Sequence, residues 1–246
     1  MKQEVRTMKR VTFFFVIIEL FLYGSFLAMD LLEVGSNQIS INLKFISILF
    51  CFFYTIRLWI LRQDRSQWIR FSFLFLILSD YFLLIRDSYT LGVCTFLGVQ
   101  LCYLKFLLEG ESKFNRWKIL RVVGRNLLIS GSCLLVLHLN GVEMDETLML
   151  ATVYMTTFVG NLILAFVKRR STKERYVTLF FLGLMLYFLC DINVAIFNLG
   201  DYVDTTGVFM GKLYQFATVA MWMFYLPGIV LITLSNDQKI GTSRGQ

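Results

Sequence analysis

Residues 176–199 read YVTLFFLGLMLYFLCDINVAIFNL, an almost unbroken apolar run that holds one charged side chain, Asp191. A helix needs about 20 such residues to cross a hydrocarbon core roughly 30 Å thick. Solid apolar runs also differ from the alternating pattern of membrane β-barrels, and only helices or closed barrels satisfy the backbone in lipid. This stretch therefore predicts a transmembrane helix.

Seven further runs of the same kind predict seven more spans. We expect an all-α fold, a polytopic membrane helical bundle with eight transmembrane helices in a single domain over residues 1–246. A short basic N-terminus (1–10) precedes the bundle and a polar C-terminal tail (235–246) follows it. The predicted spans are Val11–Met29, Leu43–Leu61, Ile69–Ile85, Thr90–Leu108, Ile119–Leu139, Leu148–Val167, Tyr176–Leu199 and Val208–Leu234.

The composition excludes a water-soluble enzyme. Of the 246 residues, 57% are hydrophobic and 17% are charged, and the mean hydropathy is +0.65. An ordinary soluble domain carries about 25% charged residues. The predicted loops are also too short to form a soluble catalytic domain, so any activity belongs to the bundle or its ends.

The basic residues predict the orientation. All but three of the 24 lysines and arginines flank the spans on one side, the exceptions being Lys44, Arg86 and Lys212. Cytoplasmic loops carry such an excess, so we expect both termini in the cytoplasm and the plasma membrane as the location. The net charge of +7 follows from this topology and from attraction to anionic lipids, and no nucleic-acid partner is predicted.

Metal and disulfide chemistry are not indicated. The five cysteines all fall within predicted spans, form no CxxC pair and accompany only one histidine, unlike a zinc site or a disulfide framework. We therefore predict no metal and no cofactor. The partners expected are membrane lipids, and the sequence leaves the oligomeric state open.

Three carboxylates fall inside predicted spans, where ionisable groups are costly and usually serve a site or pair. Asp80 lies seven residues before Asp87 and Asp191 ten before Asp201, which places them about 10 and 15 Å below the external ends of parallel helices, at similar depth. We predict that they share one pocket. Glu19, near the middle of the first span, is expected to pair with Arg57.

The segments around the aspartates are similar to each other. Leu78-Ser79-Asp80 is followed by a span that carries Gln100, and Leu189-Cys190-Asp191 by one that carries Gln215. Four spans separate the two copies, which is the pattern of a 4+4 parallel repeat.

The third and fourth spans resemble the YhhN-like family. The residues that carry the resemblance are LSDYFLL at 78–84 and YTLGVCTFLGVQLCY at 89–103. Lys44 resembles a family lysine of the second span, Leu189-Cys190-Asp191 a Ser-Asp of the seventh, and Tyr225 a tyrosine of the last. The resemblance implies an eight-span membrane protein, and the characterised animal members are lysoplasmalogenases.

Several positions depart from the family pattern. Ser79 stands where glycine is usual, and Phe45 replaces a proline. Gln100 replaces a histidine, and Gly228 occupies the position of a glutamine. Both aspartates are retained.

The resemblance implies cleavage of the vinyl-ether bond of a lyso ether phospholipid such as lysoplasmalogen. Asp80 and Asp191 would be the catalytic acid and its base or electrostatic partner. The expected substrate-binding or positioning residues are Lys44, Gln100, Tyr103, Asn193 and Tyr225. Two alternatives stay open: a proton- or cation-coupled transporter that uses the same aspartates, and a noncatalytic lipid-binding membrane protein.

Overall fold

The computed structural model describes residues 2–32, 37–109, 116–172, 174–201 and 208–238. These residues form eight long α-helices and a short 3-10 turn, Leu199–Asp201, and none of them belongs to a β-strand. The helices are α1 (Lys2–Leu32), α2 (Asn37–Ile60), α3 (Gln67–Leu84), α4 (Tyr89–Leu108), α5 (Arg116–Leu139), α6 (Glu146–Thr172), α7 (Arg175–Phe197) and α8 (Val208–Ser235).

All eight helices are long and apolar enough to span a membrane, so the chain is a multi-pass integral membrane protein. The predicted eight-span all-α bundle is confirmed. Three helices run well past their predicted spans: α1 begins at Lys2, α2 begins at Asn37, and α6 continues to Thr172. The extra turns of α1 and α6 contain lysine and arginine, which are good helix formers and can extend a helix beyond the apolar core.

The helices are buried to different degrees. In α4, 56% of the most apolar segment is buried within the bundle, against 11% in α5. Large apolar side chains such as Phe21 on α1 and Leu128 on α5 are mostly exposed, as expected for faces that meet lipid. The central helix α4 contacts α3 and α6, and α7 packs on both α6 and α8.

The order of neighbours is similar in the two halves. The contacts α1 with α2, α2 with α3 and α3 with α4 have counterparts in α5 with α6, α6 with α7 and α7 with α8. The contact of α4 with α6 likewise corresponds to that of α8 with α2. A 4+4 repeat would produce this order. The repeat and the cytoplasmic location of both termini remain predictions.

Two glycines let α7 and α8 touch backbone to backbone. A Cβ atom on Gly228 would lie 2.9 Å from the carbonyl oxygen of Gly183, and one on Gly183 would lie 2.8 Å from that of Gly228. Small residues allow such close approach of membrane helices. Any side chain at residue 228 would push the two helices apart, which explains glycine at this position.

At the predicted cytoplasmic end, the residues after α8 hold the loop between α2 and α3. The backbone N–H groups of Arg65 and Ser66 donate hydrogen bonds of 2.8 Å to the carbonyl and the side-chain oxygen of Asn236. The N–H of Gln238 donates to the carbonyl of Gln63 at 3.0 Å. We call residues 63–66 and 236–238 the clasp. Residues 239–246 of the predicted polar tail lie outside the described part of the chain.

Ser66 also fixes the start of α3. Its hydroxyl accepts a hydrogen bond from the backbone N–H of Trp68 at 3.1 Å, which is the usual role of serine at a helix N-cap. The clasp and this cap therefore determine where α3 begins relative to the end of α8.

Candidate active site

Asp80 lies near the end of α3 and faces the interior of the bundle. Its side chain is only 3% exposed. The hydroxyl of Tyr225 on α8 donates a hydrogen bond of 2.8 Å to Oδ2 of Asp80. The structure thus joins two residues that the sequence analysis placed in the same site.

Asp191 occupies a similar position on α7. It is 9% exposed, and the hydroxyl of Tyr154 on α6 donates a hydrogen bond of 2.5 Å to its Oδ2. That distance is typical of an O–H group bound to a carboxylate. Each intramembrane aspartate therefore has its own tyrosine donor.

The two aspartate–tyrosine pairs lie on either side of Tyr187. The rings of Tyr187 and Tyr225 pack edge to face with centroids 5.3 Å apart. On the other side, Phe158 packs against both Tyr187 and Tyr154, at 5.2 and 5.9 Å. Tyr187 also lies one helical turn before Asp191 on α7. The two aspartate–tyrosine pairs therefore border one aromatic core.

The two carboxyl groups belong to one region of α3, α6, α7 and α8, because Tyr225, which binds Asp80, packs on Tyr187, one turn before Asp191 on α7. Among the described residues, neither aspartate forms an ion pair. Two acidic groups without a cation, each held by a neutral hydroxyl, are suited to exchanging protons with a substrate or with each other.

Lys44 forms an ion pair with a carboxylate other than the two aspartates of the site. It is 7% exposed, and its Nζ lies 2.7 Å from Oδ2 of Asp30 on α1. The ammonium group also lies 4.8 Å from the ring centroid of Trp222, which packs edge to face on Tyr225 at 5.4 Å. Lys44 is therefore one aromatic layer away from the Asp80 pair and does not pair with Asp80 itself.

Gln100 and Tyr103 lie in the core on α4. The side-chain nitrogen of Asn161 on α6 donates to the side-chain and backbone oxygens of Gln100, at 3.0 and 2.8 Å. Tyr103 packs on Phe180 of α7 at 5.3 Å. Gln100 is thus held in a neutral bridge between α4 and α6.

Asn193 does not join the aspartates through any recorded contact. Its side-chain nitrogen donates to the carbonyl of Leu189 on its own helix at 2.7 Å. Its predicted role in positioning the substrate remains a prediction.

The expected pairing of Glu19 with Arg57 is wrong. Glu19 is buried and accepts hydrogen bonds from Ser47 and from Cys51, the latter at 3.3 Å. Both donors lie on α2, about two to three turns before Arg57. Arg57 instead lies over the ring of Tyr54.

Three residues near the site were not identified from the sequence. Tyr154 and Tyr187 did not differ from the other aromatic residues of the spans. For Tyr187 a signal exists, because it lies four residues before Asp191 and so shares its helix face. Asp30 was missed because the predicted first span ended at Met29, whereas α1 continues to Leu32.

Two cavities in the described part of the structure are lined by neither aspartate. One of about 240 Å³ opens between the ends of α7 and α8 and is lined by Ile196, Gly200, Met210, Gly211 and Tyr214. The other, at the opposite end of the bundle, is lined by Trp59, Ile60, Arg62 and Asp64. Across the described ranges, no group of three or more histidine, cysteine or acidic side chains is placed to hold a metal ion.

Comparison with protein families matches residues 39–236 to the family described as the YhhN family. The chain belongs to the YhhN family. The match includes α2 to α8, and with them both aspartates, their tyrosine donors and Lys44, whereas α1 with Glu19 and Asp30 precedes it. No curated protein and no solved structure matches the chain.

Within this YhhN-family chain, two of the departures noted above have a structural explanation. Ser79 donates a hydrogen bond of 2.7 Å to Thr95 and so links α3 to α4 beside Asp80. Gly228 permits the contact of α7 with α8. Both residues contribute to helix packing around the site.

Proposed function

We propose that this YhhN-family protein is a lysoplasmalogenase-like hydrolase that cleaves the vinyl-ether bond of lyso ether phospholipids. The observation that carries the proposal is the arrangement of Asp80 and Asp191. Both are buried and bound by a tyrosine hydroxyl, and they flank one aromatic core without an ion-pair partner among the described residues. Family membership supports the same activity.

The reaction needs an acid and a base. One aspartate donates a proton to the vinyl carbon that is not bonded to oxygen, which leaves an oxocarbenium ion. Water adds to the carbon bonded to oxygen, and the second aspartate takes a proton from that water. The resulting hemiacetal transfers its hydroxyl proton to the departing ether oxygen and collapses to a fatty aldehyde and a glycerophospho-alcohol.

The tyrosines have a supporting role in this scheme. The aspartate that acts as base is ionised when the cation forms, and its negative charge stabilises the positive charge across a short, water-poor distance. The hydroxyls of Tyr154 and Tyr225 hold each carboxyl group in one orientation. They also supply the hydrogen bond that a buried carboxylate requires.

The depth of the site suits a single-chain ether lipid. The vinyl-ether bond of such a lipid lies just beneath its headgroup, and Asp80 and Asp191 lie about 6 and 9 Å along their helices from the ends of α3 and α7. Lys44 and Asp30 form an ion pair toward the same end, where Lys44 contributes to binding the lipid headgroup. We place the protein in the plasma membrane, with the lipid tail reaching the site from the bilayer.

The test is aldehyde release from lysoplasmalogen by the purified full chain in detergent. The control substrate is the saturated ether analogue, which has no double bond to protonate and should remain intact. We expect the wild-type protein to release aldehyde and the Asp80→Asn and Asp191→Asn variants to lose this activity. Equal release by the wild-type and both variants would reject the proposal.

A transporter is the second candidate, because a series of hydroxyl groups lies between the two aspartates. Such a series suits proton transfer through a membrane protein. It predicts a proton flux in liposomes that Asp80→Asn and Asp191→Asn abolish, with no aldehyde release. A noncatalytic lipid-binding protein would instead co-purify with lipid and show neither activity.

A further inference from the structure

The hydroxyl group of Tyr187 is buried without a hydrogen-bond partner among the described residues. Tyr187 is only 1% exposed, and its ring is fixed by contacts with Phe96, Phe158 and Tyr225. Buried polar groups in proteins nearly always have a partner, and the partner is often an ordered water molecule.

The surroundings of this hydroxyl connect the two aspartate–tyrosine pairs. The rings of Tyr187 and of Tyr154, which binds Asp191, both pack against Phe96 and Phe158. The ring of Tyr187 also packs on that of Tyr225, which binds Asp80. The groups on both sides are hydroxyls that already donate to a carboxylate, so each has lone pairs left to accept a hydrogen bond.

Two further unpartnered atoms lie deeper in the core. Nε2 of Gln100, a donor, and Oδ1 of Asn161, an acceptor, are buried and without partners among the described residues. Tyr103, on the same face of α4 as Gln100, has an unpartnered hydroxyl as well. A ligand for such a set must both donate and accept hydrogen bonds. Water meets this requirement, whereas an anion would be repelled by the two carboxyl groups.

We propose that ordered water binds at the Tyr187 hydroxyl and completes a relay between the aspartates. The relay runs from Asp80 through Tyr225 to Tyr187 and on through Tyr154 to Asp191, with the water bridging the Tyr187 hydroxyl to those of Tyr225 and Tyr154. Its catalytic role rests on the proposed hydrolysis, but the water site itself does not.

The proton balance of the proposed reaction explains what the relay would do. In each turnover one aspartate loses a proton to carbon and the other gains a proton from water, while the overall reaction consumes only water. The proton must therefore return from the second aspartate to the first before the next turnover. Hydroxyl groups and water can pass it, since each accepts one proton and releases another.

The experiment is hydroxyl-radical labelling by X-ray radiolysis of the full chain in detergent, read by mass spectrometry. Radicals form from water, so a buried side chain is labelled when water is bound beside it. Phe180 is the internal control, because it lies on α7, is fully buried and has no hydroxyl. We expect Tyr187 to be labelled several-fold faster than Phe180, and Tyr187→Phe to reduce the labelling of Tyr154 and Tyr225.

The outcomes separate the water site from the proposed function. Labelling of Tyr187 as slow as that of Phe180 overturns the water site, whether or not the protein releases aldehyde. Rapid labelling without aldehyde release supports the water site and rejects the hydrolysis. Tyr187→Phe keeps the ring contacts, so a folded variant is expected, and unchanged labelling of Tyr154 and Tyr225 in it would also overturn the proposal.

Discussion

Tyr225 donates a hydrogen bond of 2.8 Å to Asp80, although the two residues are 145 positions apart in the chain. The bond connects α8 to α3, and the similar bond from Tyr154 to Asp191 connects α6 to α7. Two carboxyl groups are thus oriented by hydroxyls from neighbouring helices, and the hydrolysis we propose depends on both pairs.

Asp80→Asn and Asp191→Asn should each lower aldehyde release by about 10²–10⁴-fold, because a general acid or base contributes a factor of this size. Initial rates from purified protein measure the effect. Asp87→Asn is the matched control: Asp87 is an exposed residue near the same end of the bundle. It has a φ of +51°, and asparagine tolerates that conformation. Activity loss in this control as large as in the others would contradict the assignment.

Tyr225→Phe and Tyr154→Phe should lower kcat without unfolding the protein. Each removes a hydrogen bond to a site carboxyl group, worth about 1.5–3 kcal/mol where that carboxyl is ionised, so we expect a decrease of up to roughly 10- to 150-fold. The control is Tyr214→Phe, because Tyr214 is exposed and stacks on Phe197 away from the aspartates. A kcat equal to that of wild type in both site variants would show that the hydroxyls have no part in the reaction.

Lys44→Met should destabilise the protein, since it leaves Asp30 with its charge uncompensated in a largely buried pair. Breaking one partner of such a pair costs about 3–5 kcal/mol when fully buried, and the partial exposure of Asp30 reduces this value. The double variant Lys44→Met/Asp30→Asn should regain much of the loss. Thermal unfolding of Lys44→Met, Asp30→Asn and the double variant in detergent measures the coupling, and strictly additive effects would argue against the ion pair.

Gly228→Ala should lower the thermal stability, by about 1–3 kcal/mol for an overpacked contact. Its Cβ atom would lie 2.9 Å from the carbonyl oxygen of Gly183, so α7 and α8 must separate. Because α8 carries Tyr225, activity should fall as well. Gly211→Ala on the same helix is the control, since a Cβ atom there meets nothing within 4 Å. Similar melting temperatures for both variants would refute the close contact.

Glu109, just after α4, should make stability depend on pH. Burial raises the pKa of this carboxyl above its ordinary 4.5, while Ser66, Lys168 and Trp68 act in the opposite direction. A raised pKa in the folded state favours folding at low pH, and this contribution is lost as the pH rises from 4.5 through the raised value. Glu109→Gln should lack that loss, which melting curves between pH 4 and pH 8 would show. Parallel curves for the variant and the wild type would contradict the assignment.

The sequence was sufficient for the eight helices because each span is a long apolar run whose length the bilayer fixes. The similar depth of Asp80 and Asp191 follows from the same reasoning, since the helical rise converts sequence position into depth. The tyrosines that bind the two aspartates could not be predicted in this way. Which side of each helix faces which neighbour depends on packing, and the sequence alone does not specify it.

The wrong partner for Glu19 has a physical cause. A buried charge needs a partner, and Arg57 was expected because its charge is opposite. In the structure Glu19 instead has two neutral donors on α2, and Lys44, for which no partner was predicted, binds a carboxylate from α1. Neutral hydroxyl and thiol groups leave no distinctive sequence signal in an apolar span.

The clasp at the predicted cytoplasmic end has a consequence for the opposite half of the bundle. Asn236 lies about 16 Å along α8 from Tyr225, and Ser66 lies about 21 Å along α3 from Asp80. Because the clasp ties both helices at one end, it sets the vertical alignment of a contact deep in the membrane. A single inserted residue in either segment would rotate its site side chain by about 100°. The number of residues between the clasp and the site is therefore fixed.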